Sequence, residues 1–342
     1  MAVEAVAYAR AGLAGNPSDG YFGKTLSVTI RDFYAKVSLY ESPELEIVPS
    51  LRDRSRYESI RDLVRDVREQ GYYGGVRLMK ATVRRFATYC EEHDITLHER
   101  NFSIRYRSTI PGRVGLAGSS ALVTATLRCL MEFYEVDIPK PLQPNIILAV
   151  ENAELGISAG LQDRVIQVYE DCVFMDFDRE LIEKQGHGRY EEIDPSLLPP
   201  IYIAYRTKLA EGSEVFHNNI RERWDRGEPE VVQAMKDFAS YAQEARDLLV
   251  AGRGPEIGPL MDRNFDRRRS IYALSPESID LVEWARSTGA YAKFAGSGGA
   301  IVGTYEDERV FAKLQETFEG SDTVVFRPRI SAGSQSNKPT PA

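Results

Sequence analysis

Between residues 101 and 110, in "NFSIRYRSTI", apolar and polar side chains alternate. Phe102, Ile104, Tyr106 and Ile110 fall on one face, with Ser103, Arg105, Arg107 and Thr109 on the other, the period of a strand. Upstream, "TLSVTIRDFYAKVSLY" mixes β-branched and aromatic residues, and "LEIVP" follows after a turn. The first fifty residues therefore read as β-rich. Residues 57–93 read as two helical segments broken at "GYYGG". In the second, Val76, Met79, Val83, Phe86 and Cys90 recur three or four apart. Leu122, Ala125, Cys129, Leu130 and Phe133 mark a further helix. "NIILAVENAELG" reads as another helix and "CVFMDF" as a strand.

The pattern changes register between residues 178 and 200. "IYIAYR" reads as a strand, and helical stretches follow at 229–250, 256–272 and 277–288. "AYAKFAGSGGAIVGTY" reads as strand, tight Gly turn, strand. "ERVFAKLQETF" is a helix and "TVVFRPRI" a last strand. This interleaving predicts an α+β second domain with a split β-α-β arrangement. The expected division is a first domain over 1–185, a second over 186–330 and a disordered tail over 331–342.

Composition narrows the function. The 342 residues are 43% hydrophobic, enough for two modest domains. A net charge of −8 argues against a nucleic-acid partner and leaves room for a small anion at a locally positive site. No apolar run approaches ~20 residues, so no membrane span is expected. The N-terminus lacks the basic segment of a signal peptide. Cys90, Cys129 and Cys172 are far apart and show no metal spacing; they read as buried free thiols of a cytoplasmic protein. The four histidines show no ligand spacing either.

Chemistry concentrates in "IPGRVGLAGSSALVTA", residues 110–125. Small residues crowd a strand-to-helix turn, where free N–H groups and the helix dipole favour phosphate and glycine lets it approach. A Gly-rich turn with a Ser N-cap reads equally well. The turn is not a Walker A loop, and "GYFGKT" fails as one because Ser18 stands where its first Gly is required. A second small-residue loop, "AGSGGA" at 295–300, sits between two strands. Glu151 and Glu154 lie one helical turn apart, and Asp163 follows a Gly-containing loop. They are candidates for metal binding and proton transfer, although a solvated helix face and an N-cap explain them too.

"PGRVGLAGSSA" resembles the second motif of the GHMP kinases, small-molecule kinases of galactose, homoserine, mevalonate and phosphomevalonate. "KFAGSGGA" resembles their third motif. "YARAGLAGNPSDGY" resembles their first, which contacts the phosphoryl acceptor. "GLAGNPSDGYFGKTLSVTI", "GYYGGVRL", "AGLQDRVIQVY" and "MDRNFDRRR" resemble the glucuronokinase branch of that family.

The resemblance implies a first domain with a left-handed β-α-β crossover and a ferredoxin-like second domain. It implies ATP and Mg²⁺, and phosphorylation of the anomeric hydroxyl of D-glucuronate. A heptose phosphate, fucose or galacturonate kinase and a non-catalytic sugar sensor are the alternatives. ATP is expected on Pro111, Gly112, Gly115, Leu116, Ala117, Gly118, Ser119, Ser120 and Ala121, and on Gly296, Ser297 and Gly298. Asp163 and Arg10 take the catalytic roles. Ser120 and Glu151 take the metal, Glu151 being preferred to Glu154 for its twelve-residue spacing from Asp163. Asn16, Asp19, Lys24, Arg77, Asp163 and Gly298 are expected at the acceptor. A buried carboxylate needs a cation, and the candidates here are Lys24 and Arg77, then Arg268 from the run Arg267-Arg268-Arg269.

Overall fold

The computed structural model describes residues 1–50, 53, 59–60, 74–207 and 220–332. The helical segment expected from residue 57 to the "GYYGG" break and nearly all of the tail lie outside the described residues. Among the described residues the strands are β1 (Ala2–Ala14), β2 (Lys24–Ser42), β3 (Glu46–Ile47), β4 (Asn101–Ser108), β5 (Cys172–Asp176), β6 (Arg189–Glu192), β7 (Ile201–Arg206), β8 (Lys293–Phe294), β9 (Ala300–Thr304) and β10 (Thr323–Phe326). The helices are α1 (Gly75–Glu92), α2 (Gly118–Tyr134), α3 (Gln143–Ala149), α4 (Gln162–Tyr169), α5 (Arg179–Gln185), α6 (Ile220–Asp225), α7 (Pro229–Val250), α8 (Gly258–Ile271), α9 (Pro276–Ser287) and α10 (Glu308–Phe318). None is long and apolar enough to cross a membrane.

The chain forms two compact units. The first holds Met1–Ala9, Phe33–Gly112 and Ala117–Val168; the second holds Arg10–Asp32, Arg113–Leu116 and Tyr169–Ala342. β1 and β2, of 13 and 19 residues, each give one end to each unit.

In the first unit, β2 and β4 pair antiparallel from Ala35 opposite Ser108 to Ser42 opposite Asn101, and β3 runs parallel to β4. The alternation of β4 is realised, with Phe102, Ile104 and Ile110 buried. α1 packs on α2, with Met79, Phe86 and Cys90 buried and the Phe86 ring 5.8 Å from that of Tyr134, and the whole apolar stripe read for α2 is buried. A side chain at Gly75 would collide with the Tyr106 ring. The small residue there serves helix–strand packing.

In the second unit, β5 pairs antiparallel with the start of β2 and with β6. A separate four-stranded sheet runs in the order β10-β7-β9-β8, antiparallel throughout. Helices connect β7 to β8, and α10 connects β9 to β10, which is the ferredoxin-like split β-α-β order. Phe265, Leu281, Phe294, Ile301, Leu314 and Phe318 form its core.

Cys90, Cys129 and Cys172 are free and buried. Burial raises all three thiols, Cys129 to about 12. Thiols raised this way stay protonated at pH 8 and react slowly. A chromogenic disulfide should therefore titrate no thiol in the native protein and three after denaturation. A rapidly reacting native thiol would contradict the packing described here.

Candidate active site

The strand-to-helix turn delivers a strained corner. Ala117 adopts the left-handed conformation, φ 63° and ψ 44°, and α2 begins at Gly118. Such a conformation costs a non-glycine residue roughly 1–2 kcal/mol. Gln167 holds the corner, its Nε2 donating to the carbonyls of Ala117 at 2.9 Å and Tyr8 at 3.2 Å. Ser119 is exposed at the first turn of α2, while Ser120 is 1% exposed. Ser119 Oγ donates to Glu151 Oε1 at 2.8 Å, whereas Ser120 Oγ donates to the Ala117 carbonyl at 3.3 Å. The hydroxyl brought to the carboxylate is thus that of Ser119, beside the expected Ser120. Adjacent residues on a helix point about 100° apart, which spacing alone cannot resolve.

Glu151 lies on a π turn, Val150–Glu154, after α3. Widened turns of this kind occur often at functional sites. Glu151 and Glu154 consequently have separate surroundings, unlike the shared helical face expected. Glu151 is 1% exposed, and Arg164 meets its Oε2 through Nε at 2.8 Å and through Nη2. Glu154 instead pairs with the exposed Arg84 at 2.9 Å. Asp163 stands in the first turn of α4, its carboxylate 3.6 Å from Arg164 Nη1. Arg164 therefore lies against both carboxylates, a bridge that spacing did not reveal.

The second unit assembles the other motifs. Buried Arg10 donates through Nη1 to the carbonyls of Gly115 at 2.7 Å and Ala295 at 3.0 Å, tying the two small-residue loops together. A Cβ on Gly296 would lie 2.7 Å from that guanidinium and against the Gly115 carbonyl, so only glycine fits. Gly298, beyond the exposed Ser297, has φ 141°.

Asn16 of the first motif is buried. Its Oδ1 accepts from Lys293 Nζ at 2.6 Å, and its carbonyl accepts from Asn264 Nδ2 at 3.0 Å. Asn264 Oδ1 in turn accepts from the Gly15 N–H at 2.7 Å. Burial, with Arg268 and Arg10 nearby, pushes the Lys293 ammonium well below its ordinary range. Asp19 is half-buried in the short turn Ser18–Tyr21. Lys24 pairs with Asp176 at 3.2 Å and donates to Gln243 at 2.8 Å. Arg77, exposed on α1 in the first unit, reaches the Leu155 carbonyl at 3.4 Å. Of the three cations proposed for a substrate carboxylate, Arg268 is the one that is buried.

The chain matches the GHMP kinase N-terminal domain over residues 77–171 and the GHMP kinase C-terminal domain over 245–320. It is 45% identical over 307 residues to glucuronokinase 1 of Arabidopsis thaliana, covering 88% of this chain and 84% of the relative. The chain belongs to the GHMP kinase family. Among solved GHMP kinases, Lactococcus lactis galactokinase superposes with a TM-score of 0.71 at 15% identity, over 98% of this chain and 95% of that one. A D-glycero-D-manno-heptose 1-phosphate kinase from Bacteroides thetaiotaomicron gives 0.68 at 18% identity, over 96% and 95%. These two likenesses concern the fold.

The donor set of this GHMP kinase suits Mg²⁺. That ion is held through one or two carboxylates and completes its shell from phosphates and water. A buried carboxylate next to an exposed hydroxyl at a helix N-terminus supplies such an anchor. Among the described residues no cluster of three or more His, Cys, Asp or Glu offers a protein-only cage. If the Ser119–Glu151 contact marks the anchor, Ser119→Ala should raise the Mg²⁺ needed for half-maximal activity more than Ser120→Ala does. Mg²⁺ titration of both variants decides the order.

Proposed function

We propose that this GHMP kinase transfers the γ-phosphoryl group of ATP to the anomeric hydroxyl of D-glucuronate, giving D-glucuronate 1-phosphate. The observation that carries the reading is the 45% identity to glucuronokinase 1 across 88% of the chain. The side chains described above supply the parts that phosphoryl transfer requires.

Asp163 accepts the proton of the anomeric hydroxyl as that oxygen attacks phosphorus, and Arg164 holds the carboxylate from one side. The amides of Gly118, Ser119 and Ser120 at the start of α2 receive phosphate oxygens. Glu151, with Ser119 or Ser120, would hold Mg²⁺, which when bound neutralises phosphate charge. Arg10 offsets negative charge developing on the transferred group. Asn16 and Asp19 bind sugar hydroxyls, with Lys293 and Asn264 fixing the first motif behind them. The free buried thiols agree with a cytoplasmic site of action.

The test is ADP release measured against D-glucuronate, D-galacturonate, L-fucose, D-glucose and a heptose phosphate, with the product identified by its anomeric phosphorus resonance. D-Glucuronate should give the highest kcat/KM. A better acceptor in the panel would reassign the substrate. Nucleotide binding without turnover of any acceptor would favour a sugar sensor on this fold.

A further inference from the structure

Arg268 occupies an unusual position for an arginine. It lies on α8, one helical turn after Asn264, and is 7% exposed. Its guanidinium carbon sits 5.1 Å from the Tyr272 ring centre and 5.3 Å from that of Phe294. Nη1 donates to the Gly296 carbonyl at 2.7 Å, and Nη2 approaches the Ser297 carbonyl at 3.4 Å. Nε is buried and has no hydrogen-bond partner among the described residues. No carboxylate of the described residues lies within ion-pair distance of it. Asp19 contributes favourably from farther away, and Arg10 opposes.

An uncompensated buried cation is costly, and a guanidinium offers five N–H donors in a rigid fork matched to carboxylates. The other buried cations of this unit are committed elsewhere: Arg10 donates to the carbonyls of Gly115 and Ala295. Lys293 spends all three of its donors on Gly12 O at 2.6 Å, Asn16 Oδ1 at 2.6 Å and Phe294 O at 2.8 Å. Lys24 is already neutralised by Asp176. Arg268 thus has both the charge and an unsatisfied donor, between the third-motif loop and the residues that hold the acceptor motif.

We infer that Arg268 is the specificity-determining residue that receives the carboxylate of the sugar-acid acceptor. The inference rests on the uronate reading above. It explains why a chain that phosphorylates an acidic sugar keeps an arginine between two aromatic rings. It reverses the order expected from sequence, in which Lys24 and Arg77 stood ahead.

The experiment compares D-glucuronate with D-glucuronamide, which keeps the shape and removes the charge. The wild-type protein should prefer glucuronate by ~10-fold or more in kcat/KM. In Arg268→Met that preference should fall toward parity through a raised glucuronate KM, with the KM for glucuronamide little changed. Arg268→Lys keeps a buried cation but loses the fork, and should raise the glucuronate KM severalfold. It decides the matter if the Met variant fails to fold. A preference retained in the Met variant, an unchanged glucuronate KM in the Lys variant, or a shift in the ATP KM in place of the sugar KM, overturns the assignment. The wild-type arm stands apart: failure to use any uronate would overturn the substrate reading itself.

Discussion

Asp163→Asn is expected to lower kcat by ~10²–10⁴-fold while the KM for ATP stays near the wild-type value. The substitution keeps size and most hydrogen bonding and removes the basic oxygen. Asp163 stands in the first turn of α4, its carboxylate 3.6 Å from Arg164 Nη1. A purely structural Asp163 would act through the helix dipole, a contribution of about 0.3–1 kcal/mol near a helix N-terminus. That role predicts a small fall in Tm and almost no change in turnover. The two accounts therefore separate in one protein preparation, by steady-state kinetics beside a melting curve. Near-normal kcat in a slightly less stable variant would remove Asp163 from the catalytic set.

How much of this was legible in the chain depends on the range of each interaction. The β4 alternation, the α2 stripe and the helices after residue 229 came directly from periodicity, because burial of one face is a local pattern. The two small-residue loops were legible as loops. Their meeting through Arg10 was not, since that contact joins residues 105 and 285 positions apart. The π turn was also hidden. Spacing does not show it, yet along it Glu154 pairs with Arg84 while Glu151 is buried against Arg164.

Asn264 and Lys293 show a further limit. Both stood inside quoted motifs, but nothing in their spacing says that each holds Asn16. Arg268 was judged as one of three adjacent arginines, and helical geometry says only that such neighbours point different ways. Its two flanking rings come from Tyr272, four residues on, and Phe294, on a distant strand. A signal did exist: Asn264 and Arg268 are four residues apart, which places them on one face of α8, and Tyr272 follows at the same interval just past its end.

Glu151→Gln should damage the first unit for two separable reasons. The first is structural. Glu151 and Arg164 have side chains 1% and 6% exposed, so neutralising the carboxylate leaves the buried guanidinium only its longer, 3.6 Å pair with Asp163. Removing one partner of a buried pair costs about 3–5 kcal/mol. A drop in Tm is therefore expected without nucleotide or metal. The second is functional. If Glu151 anchors Mg²⁺, the variant should need several-fold more Mg²⁺ for half-maximal activity. Glu154→Gln breaks only a pair whose arginine is 76% exposed, so both readouts should stay near wild type. The double change Glu151→Gln/Arg164→Met removes the stranded cation and tells the two effects apart. Stability should recover in part, because the buried cation is gone, while the raised Mg²⁺ requirement should persist; Asp163 also loses its Arg164 contact, so the Mg²⁺ midpoint is read separately from kcat. If activity at low Mg²⁺ returned together with stability, Glu151 would be a structural partner of Arg164 and the metal anchor would lie elsewhere.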